Sequence, residues 1–179
     1  MTKPTDKQAA TSYIGPKAYV GDSAQVGGSA YVGGSAQVTG SAQVTGSARV
    51  GGSAYVGGSA HVTGSAQVTD SAHVGGSAYV GGSAQVTGSA QVGGDGIINK
   101  TSDYVCVGPA ISSGRWTTAH RDTKIGVRVN CGCFSGTVAE FESAIEQTHA
   151  KNAPALAQYR AFVALIKAHF AAADMMEQS

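Results

Sequence analysis

The densest run of side chains able to do chemistry is Ser112, Ser113, Gly114, Arg115, Trp116, Thr117, Thr118, His120 and Arg121, with Lys124 and Arg128 close behind. Hydroxyls and amides in a turn, guanidinium groups and one indole together suit an anionic, nucleotide-like ligand: guanidinium pairs with phosphate, and the ring stacks on a base. The candidate ligand-binding residues are therefore Ser112, Ser113, Gly114, Arg115, Trp116, Thr118, His120, Arg121, Lys124 and Arg128. The same residues also suit a polar hairpin whose arginines pair with Asp103, Asp122 or helix glutamates and whose Trp116 belongs to the core. The glycine-serine pairs elsewhere lack the spacing of a phosphate loop.

Cys131-Gly132-Cys133 with Cys106 and one of His120, His149 or His169 would supply four zinc ligands. A single Cys-x-Cys without a second paired motif is a weak signature, and small buried thiols are commoner, so neither metal nor cofactor is expected. A cysteine-histidine nucleophile would need a third group to orient it, and none can be placed, so no catalytic residue is named.

These residues need a scaffold, and the pattern around them supplies one. Tyr104 to Ile111, Trp116 to Arg121 and Lys124 to Cys131 read as three strands of a β-meander, with turns at Ser112-Ser113-Gly114-Arg115 and at Asp122-Thr123. In the third strand Ile125, Val127, Val129 and Cys131 share a buried face, while Lys124, Arg128 and Asn130 share a polar one. Thr137-Val138-Ala139-Glu140 is a capping box that opens a helix with an inward stripe of Val138, Phe141, Ile145 and Thr148. Lys151-Asn152-Ala153-Pro154 breaks that helix before a second one, about Ala155 to Ala172. Leu156, Tyr159, Val163, Ile166 and Phe170 form its apolar side, and Phe162 and Leu165 widen it enough to cover both the sheet and a neighbouring subunit.

The first half of the chain is different. Of 26 glycines, 21 fall between Gly15 and Gly96, and between Ile14 and Gln91 the only charges are Lys17, Asp22, Arg49 and Asp70. From Ile14 the chain is thirteen uninterrupted hexads: an aliphatic residue, Gly or Thr, usually Gly, usually Ser, Ala, and then Gln, Tyr, His or Arg. Within Ser-Ala-x-Val the Ala and Val share one face of an extended strand and the variable residue points away. Apolar spacings of two and four make no helical stripe, so each hexad is one short strand and one corner. The expected organisation is an N-terminal cap or disordered segment over 1–13, a repeat array over 14–96 and an α+β C-terminal domain over 97–179.

The net charge of +1, with 13% charged residues, leaves no basic footprint for nucleic acid or a membrane surface. The start, MTKPTDKQAATSY, has no apolar core of a secretory signal, and three cysteines is an odd number, so a cytoplasmic location with reduced thiols is expected.

The hexads, as in Val26-Gly27-Gly28-Ser29-Ala30-Tyr31, resemble the hexapeptide motif of left-handed parallel β-helices. That resemblance implies a mainly β fold, with a triangular prism of three hexads per coil, a little over four coils here, and a homotrimer of prisms side by side. Three hexads per coil sort the outward residues into Tyr19, Gln37, Tyr55, His73 and Gln91; Gln25, Gln43, His61 and Tyr79; and Tyr31, Arg49, Gln67 and Gln85. Many hexapeptide proteins are acyl-CoA-dependent acyltransferases that use a histidine base beside a loop thrown out of a coil. His61 and His73 are the only histidines of the array, and the array throws out no loop. Further on, Gly132-Cys133-Phe134-Ser135-Gly136-Thr137, Glu140-Phe141, His149, Tyr159 and Val163-Ala164-Leu165-Ile166 resemble the C-terminal part of small phage and prophage proteins. The expected function is a non-enzymatic trimeric binding protein of phage type. It would sequester an anionic nucleotide-like molecule or host signal through its C-terminal domain. A structural trimerisation module and an acyltransferase are the alternatives.

Overall fold

A computed structural model describes residues 11–177. The expectation for the N-terminal segment therefore falls largely outside the described residues. The chain divides into two compact units, the second beginning at Ser102.

The first unit is a β-solenoid of fifteen two-residue strands, β1 (Tyr13–Ile14) through β15 (Ile97–Ile98), arranged as three parallel five-stranded sheets. Each strand is the variable residue and the following aliphatic one, and it pairs with the strand three hexads on: Gln37 with Tyr55, Gln43 with His61, Gln67 with Gln85. This is the face sorting expected from the hexads. Alanine and valine point inward and are fully buried from Val32 to Ala90. The array is longer than expected, about five turns. Tyr13–Ile14 opens it by pairing with Tyr31–Val32, and Ile97–Ile98, one residue past Gly96, closes it by pairing with Tyr79–Val80. The pattern looks degraded after Gln91, yet Ile98 still puts an aliphatic side chain into the core, and that suffices to extend the ladder. Thr101 ends one column, its Oγ1 accepting the Gln85 amide at 3.1 Å where the next strand would stand.

The third hexad position turns the corner with φ near +65° at Gly28, Gly34 and their successors, a conformation that only glycine adopts without strain. Asp70 is the one exception (φ 60°), and its Oδ2 accepts the Gly88 amide one turn on at 3.1 Å. The second position follows a rule of its own. Each array tyrosine, Tyr13, Tyr19, Tyr31, Tyr55 and Tyr79, is followed two residues later by Gly. The rings of Tyr31, Tyr55 and Tyr79 lie over Gly33, Gly57 and Gly81, where a Cβ would collide with them. Tyr31, Tyr55 and Tyr79 recur every 24 residues against 18 per turn, so they step from one sheet to the next, and no face collects them.

The second unit is a four-stranded antiparallel sheet in sequential order, β16 (Tyr104–Val107), β17 (Thr117–Asp122), β18 (Gly126–Cys131) and β19 (Phe134–Thr137), followed by α1 (Val138–His149) and α2 (Ala153–Glu177). The meander expected here is present but has a fourth strand. β16 stops before Gly108, whose φ of 141° and following Pro109 end the ladder well short of Ile111. The capping box forms as expected: Glu140 N donates to Thr137 Oγ1, and Thr137 N to Glu140 Oε2 at 2.8 Å. Helix α2 starts two residues earlier than expected, because Pro154 sits in its first turn, where it displaces no hydrogen bond, and Asn152 Oδ1 caps the Ala155 amide.

One face of the sheet and the two helices enclose a core of Ala119, Val129, Cys131, Phe141, Ile145, Tyr159, Val163, Ile166 and Phe170. Two expectations are corrected here. Leu165 is 48% exposed and Thr148 is exposed, so neither belongs to that core, whereas Phe162 does.

Candidate functional site

The ten candidate residues do not converge. β17 spans six residues, so its two ends lie about 17 Å apart, with the Ser112 to Trp116 turn before one and Lys124 beyond the other. Thr118 and His120, in between, are buried rather than accessible. Three groups result.

The first group is a buried polar network on the sheet face away from the helices. His120 is fully buried; its Nδ1 lies 2.9 Å from Arg121 O and its Nε2 3.1 Å from Asn130 Nδ2. With the carbonyl as acceptor and the amide as donor, the ring fits as the neutral tautomer with its proton on Nδ1. Burial pushes the His120 imidazole down from its ordinary 6.5; the Arg121 carbonyl and Asp122 oppose this, and Arg128 adds to it. Asp122, also buried, accepts from Arg128 Nε at 2.6 Å and from the Lys124 and Ile125 amides at 2.9 and 3.2 Å. Arg128 also donates to Ser135 Oγ. The third-strand face expected to be polar, opposite the buried one, therefore carries a buried Asn130 and a half-buried, paired Arg128.

A pH dependence follows with a definite sign. Unfolded, His120 takes a proton as the pH falls through about 6.5, whereas the folded ring resists it; the native state is favoured above that pH and loses stability below it. In urea titrations followed by Trp116 emission, stability should drop between about pH 7 and pH 5.5 by at most about 1.4 kcal/mol per unit. His120→Gln should flatten that limb, and an unchanged slope would remove His120 as its source.

The second group is Arg121, which pairs with Asp174 and lies 5.0 Å over the Phe170 ring. It ties β17 to α2. A cleft of about 300 Å³ between the helices, lined by Glu142, Ile145, Glu146, Arg160, Val163 and Lys167, likewise has its charges committed, as Arg160 to Glu146 and Lys167 to Glu142.

The third group surrounds Arg115. The turn closes on itself: Ala110 O accepts the amides of Ser113 and Gly114 at 3.2 and 2.7 Å, and Arg115 N points to Ser113 Oγ at 3.3 Å. These amides are consumed and do not form an anion cradle. The turn is seated on α2, with Ile111 N donating to Gln158 Oε1 at 2.8 Å and Ser113 Oγ lying 3.1 Å from Tyr159 OH. Burial pushes the Tyr159 phenol up from 10.0, against the pull of the Ser113 bond, so it stays a neutral hydroxyl. The Arg115 side chain lies along Gly132; any Cβ there would sit 2.9 Å from its Cδ and Nη1. Among the described residues no carboxylate pairs with Arg115, whereas Arg121, Arg128 and Arg160 each have one. Trp116, 37% exposed, rests on the opposite neighbour, its Cα 3.1 Å and Cε3 3.4 Å from a Cβ built on Gly108.

Sequence reasoning placed Ser113 and Arg115 in the site but not Gly132, His149 or Tyr159, although all three stand in the segment that carried the phage resemblance. His149 stacks on Tyr159 with ring centroids 4.9 Å apart and planes 15° from parallel. Beside them Thr117 pairs in register with Cys131, and its buried Oγ1 has no hydrogen-bond partner among the described residues.

The cysteines do not assemble. Cys106 faces Thr118 on the polar side of the sheet, where burial raises its thiol pKa against the lowering effect of the Thr118 hydrogen bond, while Cys131 lies in the core; all three thiols are free. Among the described residues no group of three or more His, Cys, Asp or Glu is placed to hold a metal ion. Within the same residues no helix is long and apolar enough to cross a membrane. Comparison with models of protein families, with curated proteins and with solved structures finds no match for the chain.

Proposed function

We propose that the protein is a non-enzymatic binding protein of phage or prophage type that takes an anionic, nucleotide-like small molecule at Arg115. The second unit binds, and the solenoid, as a left-handed triangular hexapeptide prism, assembles it into a homotrimer in the host cytoplasm. The observation that carries the reading is the state of Arg115: among the described residues it alone of the four arginines in its unit lacks a carboxylate, and it is laid against a glycine that leaves it room. A guanidinium held at the surface without a counter-charge is poised for an external oxyanion, with which it forms paired, charge-assisted hydrogen bonds. Because the solenoid's tyrosines are spread over all three sheets, no face is singled out by composition as the subunit contact.

An acyltransferase is disfavoured. His61 and His73 stand on different sheets, and His73 stacks on Tyr55 at 5.5 Å within a regular ladder. The structural-module reading keeps one point in its favour, the internal pairing of the other three arginines.

Native mass spectrometry of the gently purified full chain tests the proposal. The expected result is a trimer carrying an added mass that Arg115→Ala removes, with affinity for added nucleotide falling about tenfold or more, as loss of a charged hydrogen-bond pair implies. A trimer that carries nothing and ignores added nucleotides would replace the binding reading with the structural one.

A further inference from the structure

We propose that the planar part of the ligand is read by His149, stacked in series on Tyr159, and not by Trp116. The inference rests on the anion-binding reading of Arg115 and adds to it the residue that recognises the ring.

The geometry around Tyr159 points this way. Its ring is held on several sides: Phe141 and Phe162 meet it edge-on at 6.1 and 5.6 Å, Ser113 takes its hydroxyl, and His149 covers a face. Tyr159 is 3% exposed and belongs to the core, whereas His149 is half-buried. The stack therefore begins inside the unit and ends at an imidazole that reaches solvent. Among the described residues no hydrogen bond to the His149 ring nitrogens is present, and the residue is held by the stack and by its helix. A flat heteroaromatic ring laid on it would extend the series by one member and meet ring nitrogens able to accept or donate.

Arg115 belongs to the same assembly. Ser113, two residues before it, lies 3.1 Å from the Tyr159 hydroxyl, and the Arg115 side chain runs along Gly132, the residue after Cys131 of the core that holds Tyr159. One ligand can then set its anion on Arg115 and its ring on His149, with Tyr159 as the common support. Trp116 is on the wrong side for this: it leans on Gly108, next to β16, while Arg115 leans on Gly132, beyond β18. A ligand gripped by Arg115 and Trp116 would have to straddle the end of β17.

The test uses the intact chain and two probes with the same anion, adenosine monophosphate and ribose 5-phosphate, in equilibrium binding titrations. The wild type should prefer adenosine monophosphate by about tenfold, the usual strength of a base stacked on an aromatic side chain. His149→Ala should erase that preference while leaving ribose 5-phosphate binding in place, and His149→Phe, which keeps a flat ring, should restore it. Rescue by Phe distinguishes stacking from a general loosening of α1. If His149→Ala keeps the preference, or Trp116→Ala is what removes it, the inference is overturned and the anion site stands. If neither probe binds, or Arg115→Gln changes nothing, the anion site falls and this inference with it.

Discussion

Asp122→Ala should destabilise the second unit by about 3 kcal/mol, among the largest losses available to a single side chain here. The carboxylate is fully buried and receives hydrogen bonds from Arg128 and from the Lys124 and Ile125 amides of the β17–β18 turn. Removing it strands the Arg128 charge and leaves two turn amides unmet, and each loss carries a desolvation penalty. Arg128 keeps 17% of its side chain in solvent, which holds the figure at the low end of the range for a broken buried pair. Asp122→Asn should lose less, because its amide oxygen can still take the turn amides. Acid separates the contributions further. Burial alone would raise the Asp122 carboxyl, but Arg128 and the turn amides outweigh it and hold the group below its ordinary 3.8. Its contribution is therefore present above about pH 4 and disappears as pH falls through the folded value. Urea denaturation followed by Trp116, the chain's single tryptophan, reads this unit directly. A loss under about 1 kcal/mol for Asp122→Ala would mean that the pair is effectively a surface one.

How far the fold was legible differs between the two units, and the reason is range. In the solenoid every requirement is met within six residues: Ala and Val inward, one corner with positive φ, one outward side chain. Even the departure at Asp70 is local, since aspartate is among the few residues that tolerate that backbone. The pairing of each tyrosine with the glycine two residues on was also written in the chain, but it becomes intelligible only when the ring is seen lying across that glycine. In the second unit the capping box and both helices were readable from spacing. The strand Phe134–Thr137 was not, because it is four residues long and runs into the helix cap without a clear alternation.

The candidate site was less legible because it depends on which charges meet. The partner of Arg128 stands six residues away across one hairpin, but the partner of Arg121 stands 53 residues on, near the end of α2. No local pattern identifies Asp174 as a counter-ion, so three arginines that look alike in the sequence have three different fates. Alternation likewise set Asn130 and Arg128 on a polar face opposite the buried one, and it carries no information about a polar face that is itself buried and hydrogen-bonded. What singled out Arg115 was the arrangement left once the others had been paired.

In the solenoid, three alanine substitutions should separate backbone strain from close stacking, the two demands that a corner glycine answers. At Gly58 φ is +66°, and a Cβ would lie 2.6 Å from Gly76 O and 3.0 Å from Gly76 N in the next turn. At Gly88 φ is again +66° but nothing lies within 4 Å, and at Gly75 the backbone is ordinary and the space open. Gly88→Ala therefore meets only the left-handed penalty, about 1 to 2 kcal/mol. Gly58→Ala adds a clash with main-chain atoms that can be relieved only by parting two turns, for a total of about 3 kcal/mol or more. Gly75→Ala should be neutral or gain about 0.4 to 1 kcal/mol, because it narrows the unfolded ensemble without straining the native one. Gly58 also lies mid-array, its own oxygen 2.7 Å from a Cβ built on Gly40, so a displacement there disturbs the turns on both sides. In a structure whose stability is a sum of neighbour contacts, a central lesion breaks two interfaces where a terminal one breaks one. Thermal unfolding followed by far-UV circular dichroism should rank the losses Gly58→Ala, then Gly88→Ala, then Gly75→Ala. Equal losses at Gly58 and Gly88 would show that φ alone dictates glycine at the corner and that the turns have room to spare.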